Sequence, residues 1–151
     1  MPYGQAKEFI QYARDFHRKA SEFYQQLCDT SDQPRVKLLL DYLARHEKHL
    51  ERALSDYETS ITRKAMDTWY QFAQQACTFE PLNSLNYDKN VTTDEILAIG
   101  AKIDECLINS YKAVLDKATT AEVREIFESL LQMEEQEKHV KARMALGLQD
   151  M

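Results

Sequence analysis

A glutamate lies on the apolar stripe of a predicted helix between Leu39 and Leu54. Leucines recur there at steps of three and four residues, and Glu47 falls on the same helical face, next to His46. A carboxylate on such a face has to be paired, protonated or bound to a metal. Glu47 and His46 are therefore candidates for chemistry.

The same arrangement occurs a second time near the end of the chain. From Ile126 to Met144 an apolar stripe is interrupted by Glu134 and Glu137. A gapless alignment of the two stretches gives one offset, which places Glu134 against Glu47 because 134 − 47 = 87. The sequence therefore contains two related helical stretches with a glutamate at the same point.

The helices before these stretches carry polar residues at the same offset. His17 corresponds to Asp104 and Tyr24 to Tyr111, since both pairs differ by 87. Each half of the chain is thus predicted to be a helical hairpin with inward-facing polar side chains. The two tyrosines are predicted to lie in the core, with their hydroxyls bonded to a carboxylate.

Length and composition favour one domain made mostly of helix. The chain has 151 residues, of which 44% are hydrophobic and 29% charged, and it has 3 Gly and 3 Pro to end helices. We expect a single domain over 1–151, with a hairpin at 5–57, a crossover at 58–91 and a hairpin at 92–147. The crossover is predicted to contain a further helix at 62–77.

Capping residues mark helix ends in the second half. Thr92 with Glu95, and Thr119 with Glu122, match the capping box, in which side chains at the helix start bond to the free backbone N–H groups. Gly147 is a natural place for the last helix to stop. The predicted third and fourth helices therefore begin after Thr92 and Thr119.

In this pattern the chain resembles the ferritin-like superfamily, and within it the rubrerythrin-like proteins, over nearly its whole length. The resemblance implies an all-α, antiparallel four-helix bundle made of two hairpins and a long crossover. That family places a Glu on each of two helices and a Glu-x-x-His on each of the other two, so that all of them hold two metals.

Carried over residue by residue, the two single-glutamate positions fall on His17 and Asp104. The two motif glutamates fall on Glu47 and Glu134. The motif histidines fall on Leu50 and Glu137, so both histidines are lost. Glu137 also has a simpler interpretation as the ion-pair partner of Lys141 on the next turn.

A competing register is anchored on Glu-Lys-His, which occurs at 47–49 and again at 137–139. It would make His49 and His139 the motif histidines. Both histidines share their helical faces with polar and charged residues, which is typical of a solvated face, so the gapless register is favoured.

The resemblance then predicts a set of metal ligands: His17, His46, Glu47, Asp104, Glu134 and Glu137. The two motif glutamates would bridge the metals, because a carboxylate has two oxygens, and His46 would replace the ligand missing at Leu50. Imidazole with carboxylate suits iron, manganese or zinc. Two metals, one metal and no metal are all compatible with this set.

Two functions follow from these alternatives. In the first, the chain is a di-iron or di-manganese oxidoreductase that reacts with oxygen or peroxide and depends on an external redox partner. In the second, the site has decayed and the bundle is a metal-free scaffold or interaction protein.

Charge and cysteine content exclude other classes. A net charge of −6 argues against binding to nucleic acid or an anionic membrane. No stretch of the chain approaches 18 consecutive apolar residues and no basic leader is seen before the first helix, so a cytoplasmic protein is expected. The 3 Cys are widely spaced, which predicts small core residues rather than disulfides.

A homo-oligomer, such as a dimer, is expected, with Trp69, Tyr70 and Phe72 at a lid or subunit interface.

Overall fold

The computed structural model describes residues 3–60, 69–71, 90–118 and 120–149. In chain order the elements are strand β1 (Tyr3–Gln5), helices α1 (Ala6–Thr30) and α2 (Pro34–Ser60), strand β2 (Trp69–Gln71), and helices α3 (Thr93–Lys117) and α4 (Ala121–Gln149). Four helices of 25 to 29 residues account for most of this part of the chain. The predicted all-α class and the two helical hairpins are confirmed.

The two short strands correct one detail of the predicted crossover. β1 and β2 pair antiparallel, with Tyr3 opposite Gln71 and Gln5 opposite Trp69. The middle of the helix predicted at 62–77 is therefore extended, as suits the two consecutive aromatic residues of β2. The rest of that predicted helix lies outside the described residues. Pairing gives the backbone groups of both strands hydrogen-bond partners.

The chain forms two compact units. The first-hairpin unit contains Ile10–Ser60 and the start of α3 up to Gly100. The second-hairpin unit contains α3 from Ala101 onwards and all of α4, together with both strands and α1 up to Phe9. The expectation of a single domain over 1–151 stays a prediction.

In the first-hairpin unit, α1 and α2 run antiparallel because only three residues join them. The Ser21 hydroxyl donates to the carbonyl of Ala44 at 2.9 Å. Closer to the link, the Lys37 ammonium donates to the carbonyl of Cys28, also at 2.9 Å. This second contact satisfies one of the carbonyls that the end of α1 leaves without a helical partner.

Aromatic packing joins three helices in the second-hairpin unit. The Phe9 ring lies 5.3 Å from that of Tyr111 on α3 and 5.1 Å from that of Phe127 on α4. The pair with Phe127 is edge-to-face, which the ring quadrupoles favour. The first turn of α1 is thereby anchored against the second hairpin.

Helix ends follow the capping chemistry with one exception, at the end of α4. The Thr92 hydroxyl accepts the backbone N–H of Glu95 at 3.2 Å, which confirms the first capping box. At α4 the Thr120 hydroxyl accepts the N–H of Val123 at 3.3 Å, whereas the predicted cap, Thr119, lies outside the described residues. α4 also continues through Gly147 to its end at Gln149, so the predicted stop was wrong.

The cysteines divide into two kinds. Cys28 is a buried free thiol, as expected of a small core residue. Cys106 is disulfide-bonded, which corrects the expectation that no cysteine would form a disulfide. Wide spacing along the chain is a weak guide here, since helices bring distant residues together. Within the described part of the chain, no helix has both the length and the apolar composition to cross a membrane.

Candidate functional site

A buried histidine–glutamate pair lies inside the first hairpin. His17 on α1 and Glu47 on α2 both have no solvent-exposed surface, and Nδ1 of His17 lies 2.5 Å from Oε2 of Glu47. The pair shares one proton between Nδ1 and Oε2, so a single hydrogen bond joins the two side chains. The antiparallel course of the two helices brings these residues together across 30 positions of sequence.

His46 is directed away from this pair. Successive helical residues differ by about 100° around the axis, so the neighbour of a fully buried Glu47 falls on the flank of the helix. His46 is half-buried, and its ring centroid lies 4.2 Å from that of Tyr42. Leu50, at the lost motif histidine, is buried. A movement of His46 towards a metal stays a prediction.

The second hairpin contains a buried ion pair. The Lys141 ammonium on α4 donates to Oδ1 of Asp104 on α3 at 2.8 Å, and the two side chains are 7% and 4% exposed. Lysine is rarely buried without a charged partner. Asp104 is therefore paired with a basic side chain of the same hairpin.

A second polar contact lies two helical turns along the same hairpin. The Tyr111 hydroxyl donates to Oε1 of Glu134 at 3.3 Å, and both residues are buried. Burial, and then the nearby Glu134 carboxylate, raise the pKa of Tyr111 well above its ordinary value, because ionisation would place a second negative charge in the core. The prediction of a core tyrosine bonded to a carboxylate is confirmed for Tyr111.

The two contacts of the second hairpin have the spacing that antiparallel helices require. Seven residues separate Asp104 from Tyr111 on α3, and seven separate Glu134 from Lys141 on α4. At 1.5 Å per residue, each step is about 10.5 Å along the helix. Glu137 lies between Glu134 and Lys141 on α4 and is half-buried.

The predicted ligands are distributed over the two units. The first-hairpin unit holds His17, His46 and Glu47, and the second-hairpin unit holds Asp104, Glu134 and Glu137. Among the residues that the structure describes, no three His, Cys, Asp or Glu side chains are grouped as a metal site requires. A shared centre built from all six stays a prediction.

The histidines of the competing register lie at the surface. His49 and His139 are both exposed, as the gapless register predicts from their polar neighbours. They carry no buried polar contact comparable to that of His17.

The chemistry of the side chains does not fit the two-metal centre that the resemblance implies. Asp104 is bonded to an ammonium, which has no lone pair to offer a metal while it remains protonated. Leu50 offers no donor atom at all. The His17–Glu47 pair offers one imidazole and one carboxylate, which are fewer donors than a two-metal centre needs.

Lys141 is the residue that sequence analysis missed. Its only assigned role was as a surface partner of Glu137, because lysine side chains are usually exposed. Two signals mark it as buried. It lies seven residues after Glu134 on the same helical face, and the offset of 87 aligns it with Leu54, which is fully buried.

Comparison with known proteins identifies the fold. No protein-family profile and no curated protein matches this chain. A solved structure from Thermotoga maritima, provisionally described as a ferritin-like diiron-carboxylate protein, superposes with a TM-score of 0.63. It is 14% identical in sequence, and the match covers 96% of this chain and 97% of that one. This chain therefore has the ferritin-like four-helix fold.

Proposed function

We propose that this chain is a ferritin-like four-helix protein that pairs the buried carboxylates of Glu47 and Asp104 with its own basic side chains and serves as a metal-free scaffold or interaction module. The observation that carries the proposal is the ammonium of Lys141 on Asp104 at 2.8 Å, with both side chains buried. In this hairpin the cation beside the carboxylate is part of the polypeptide.

Electrostatics explain why this pair disfavours a metal. A divalent ion bound to Asp104 would lie next to the ammonium, and two like charges about 4 Å apart repel by about 4 kcal/mol per pair of unit charges in a partly screened interior. To bind, the ion would have to displace the Lys141 ammonium from Asp104 or remove its proton.

The first hairpin also pairs its buried carboxylate with a nitrogen, but the partner is a histidine instead of a lysine. His17 and Glu47 are bonded to each other at 2.5 Å and are fully buried. The buried Leu50 fills the position from which a third donor would come. Each hairpin therefore pairs a carboxylate of its own core with a nitrogen of its own core.

A second candidate function is the di-metal oxidoreductase. It is favoured by the burial of all four residues at the matched helix positions, namely His17, Glu47, Asp104 and Glu134, each at most 3% exposed as a whole residue. The likeness to a protein described as a diiron-carboxylate protein points the same way. Iron or manganese, and after them zinc, would be the metals, with an external redox partner.

Metal loading decides between the two candidates. Protein purified without chelator is loaded anaerobically with Fe²⁺ or Mn²⁺, passed through a desalting column and analysed for metal and oxygen uptake. We expect no retained metal and no oxygen uptake above that of buffer. Retention of about two metals per chain, lost in Glu47→Ala and Glu134→Ala but kept in the exposed control Glu125→Ala, would instead establish the di-metal function.

Oligomeric state is a separate part of the proposal. We propose a homodimer, because the aromatic residues at 69, 70 and 72 suit a subunit interface. Sedimentation equilibrium of the purified chain is expected to give twice the monomer mass of 17.7 kDa. A monomer at all concentrations would contradict this part alone.

A further inference from the structure

Lys141 is an exception among the cationic residues of this chain. Across residues 7–59 and 90–144, wherever the structure describes side chains, the other lysines and all arginines are half-buried or exposed, whereas Lys141 is 7% exposed. Long cationic side chains normally extend their charged end to water. This one instead directs it into the hairpin, where it bonds to Asp104.

The aligned position shows that the fold does not need a lysine there. The offset of 87 places Leu54 opposite Lys141, and Leu54 fills its position as a fully buried apolar residue. A buried ion pair generally contributes no more stability than well-packed apolar residues of similar volume. The cation is therefore explained by Asp104 and not by packing.

From these observations we infer that Lys141 does in the second hairpin what a metal ion does in a ferritin-like di-metal protein: its ammonium neutralises Asp104 and occupies the place of a divalent cation. This inference rests on the proposed function. Lys141 is then the residue that keeps a divalent cation away from Asp104. Removal of its charge and bulk together is then expected to admit one.

Four variants test the inference. Lys141→Ala removes the charge and leaves space, whereas Lys141→Leu removes the charge but fills the space as Leu54 does. The double variant Asp104→Asn with Lys141→Ala removes the carboxylate that would hold the ion. Lys138→Ala is the matched control, because Lys138 lies on the same helix and is exposed.

The probe is Mn²⁺, which prefers carboxylate oxygen and is counted by the loss of its free-ion electron paramagnetic resonance signal. Equilibrium dialysis with each variant is expected to show about one bound Mn²⁺ per chain for Lys141→Ala. The wild type, Lys141→Leu, Lys138→Ala and the double variant are expected to bind none. A merely structural lysine would change stability without this pattern of binding.

Loss of folding does not remove the test. If Lys141→Ala is unfolded in chelator, Mn²⁺ is expected to restore its helical circular dichroism, and to do so only while Asp104 is present, since binding to the folded state stabilises it. Absence of both Mn²⁺ binding and Mn²⁺-dependent folding in Lys141→Ala would overturn the inference. Metal binding by the wild type would instead overturn the proposed function, so the two failures are distinct.

Discussion

Replacement of His17 by leucine should destabilise the protein far more than its size change suggests. The leucine has about the volume of the imidazole, so packing is largely kept. Glu47, however, loses its hydrogen bond to Nδ1 of His17, which lies 2.5 Å from its Oε2, at a position with no solvent exposure. Water cannot take over this hydrogen bond without opening the hairpin.

The expected magnitude follows from the burial of both partners. Removal of one member of a buried charged pair costs about 3–5 kcal/mol, because the remaining charge stays in a poorly solvating core. Replacement of both members by apolar residues is often close to neutral. We therefore expect His17→Leu and Glu47→Leu each to cost about 3–5 kcal/mol, and the double variant to cost less than either single variant.

Urea unfolding followed by far-ultraviolet circular dichroism measures these changes. With a denaturant dependence of about 2 kcal/mol per molar urea, each single variant should lower the unfolding midpoint by roughly 1.5–2.5 M. His139→Leu is the matched control, because His139 is exposed. Its effect should stay within about 0.5 kcal/mol.

Additive effects would refute the reasoning. If the double variant lost the sum of the two single losses, His17 and Glu47 would not act as a pair, and their contact would not be what compensates the buried carboxylate. A single-variant loss no larger than that of His139→Leu would refute it as well.

Three further tests, made with four substitutions, concern other parts of the structure. Gly100→Ala places a methyl group 3.2 Å from the hydroxyl oxygen of Tyr24 and should lower the free energy of unfolding by about 1 kcal/mol. Gly147→Ala meets no atom within 4 Å and should raise the free energy of unfolding by about 0.5–1 kcal/mol. Thr92→Ala removes the cap of α3 and should cost about 0.5–2 kcal/mol in the same urea assay. Tyr111→Phe should change the pH dependence of stability, because the raised pKa of Tyr111 means that its phenol ionises at about pH 10 in the unfolded chain but not in the folded one. The stability that this difference provides is complete below pH 10 and is lost as the pH rises towards the folded pKa, so the wild type should lose stability faster than the variant above pH 10.

Each of these three has an outcome that contradicts it. Equal effects of alanine at Gly100 and Gly147 would show that Tyr24 does not restrict the space beside α3. An unchanged α3 after loss of Thr92 would mean that the cap is not a stabilising contact. Parallel pH profiles of the wild type and Tyr111→Phe between pH 9 and 11 would mean that the phenol ionises equally in both states.

Periodicity predicted which polar side chains are buried, but not which residues they form hydrogen bonds with. The gapless register placed His17, Glu47, Asp104 and Glu134 on inward faces, and all four are buried. Helical spacing fixes which side of a helix a residue occupies, so this much can be obtained from the sequence. It does not show which neighbour a carboxylate bonds to, and Lys141 was missed because a lysine is expected at the surface.

Local sequence patterns predicted the ends of helices and the short strands less well. The cap of α4 depends on backbone geometry at the link, because two consecutive threonines in the sequence there both have the required hydroxyl. Gly147 was expected to end α4, yet a glycine in a helix costs only about 1 kcal/mol, which the neighbouring turns readily offset. The strand at Trp69–Gln71 depends on pairing with residues more than 60 positions away, which no local pattern records.

The polar contacts of the two hairpins also bear on how the chain can fold. His17 bonds to a residue 30 positions away, Tyr111 to one 23 positions away and Asp104 to one 37 positions away. Loops of this length close at a small entropic cost compared with loops that span the whole chain. Each hairpin can therefore compensate these side chains as soon as its own two helices meet. Neither the other hairpin nor a bound ion is then needed to give these buried polar side chains their partners. A nascent chain can therefore complete the first hairpin while the second is still being synthesised.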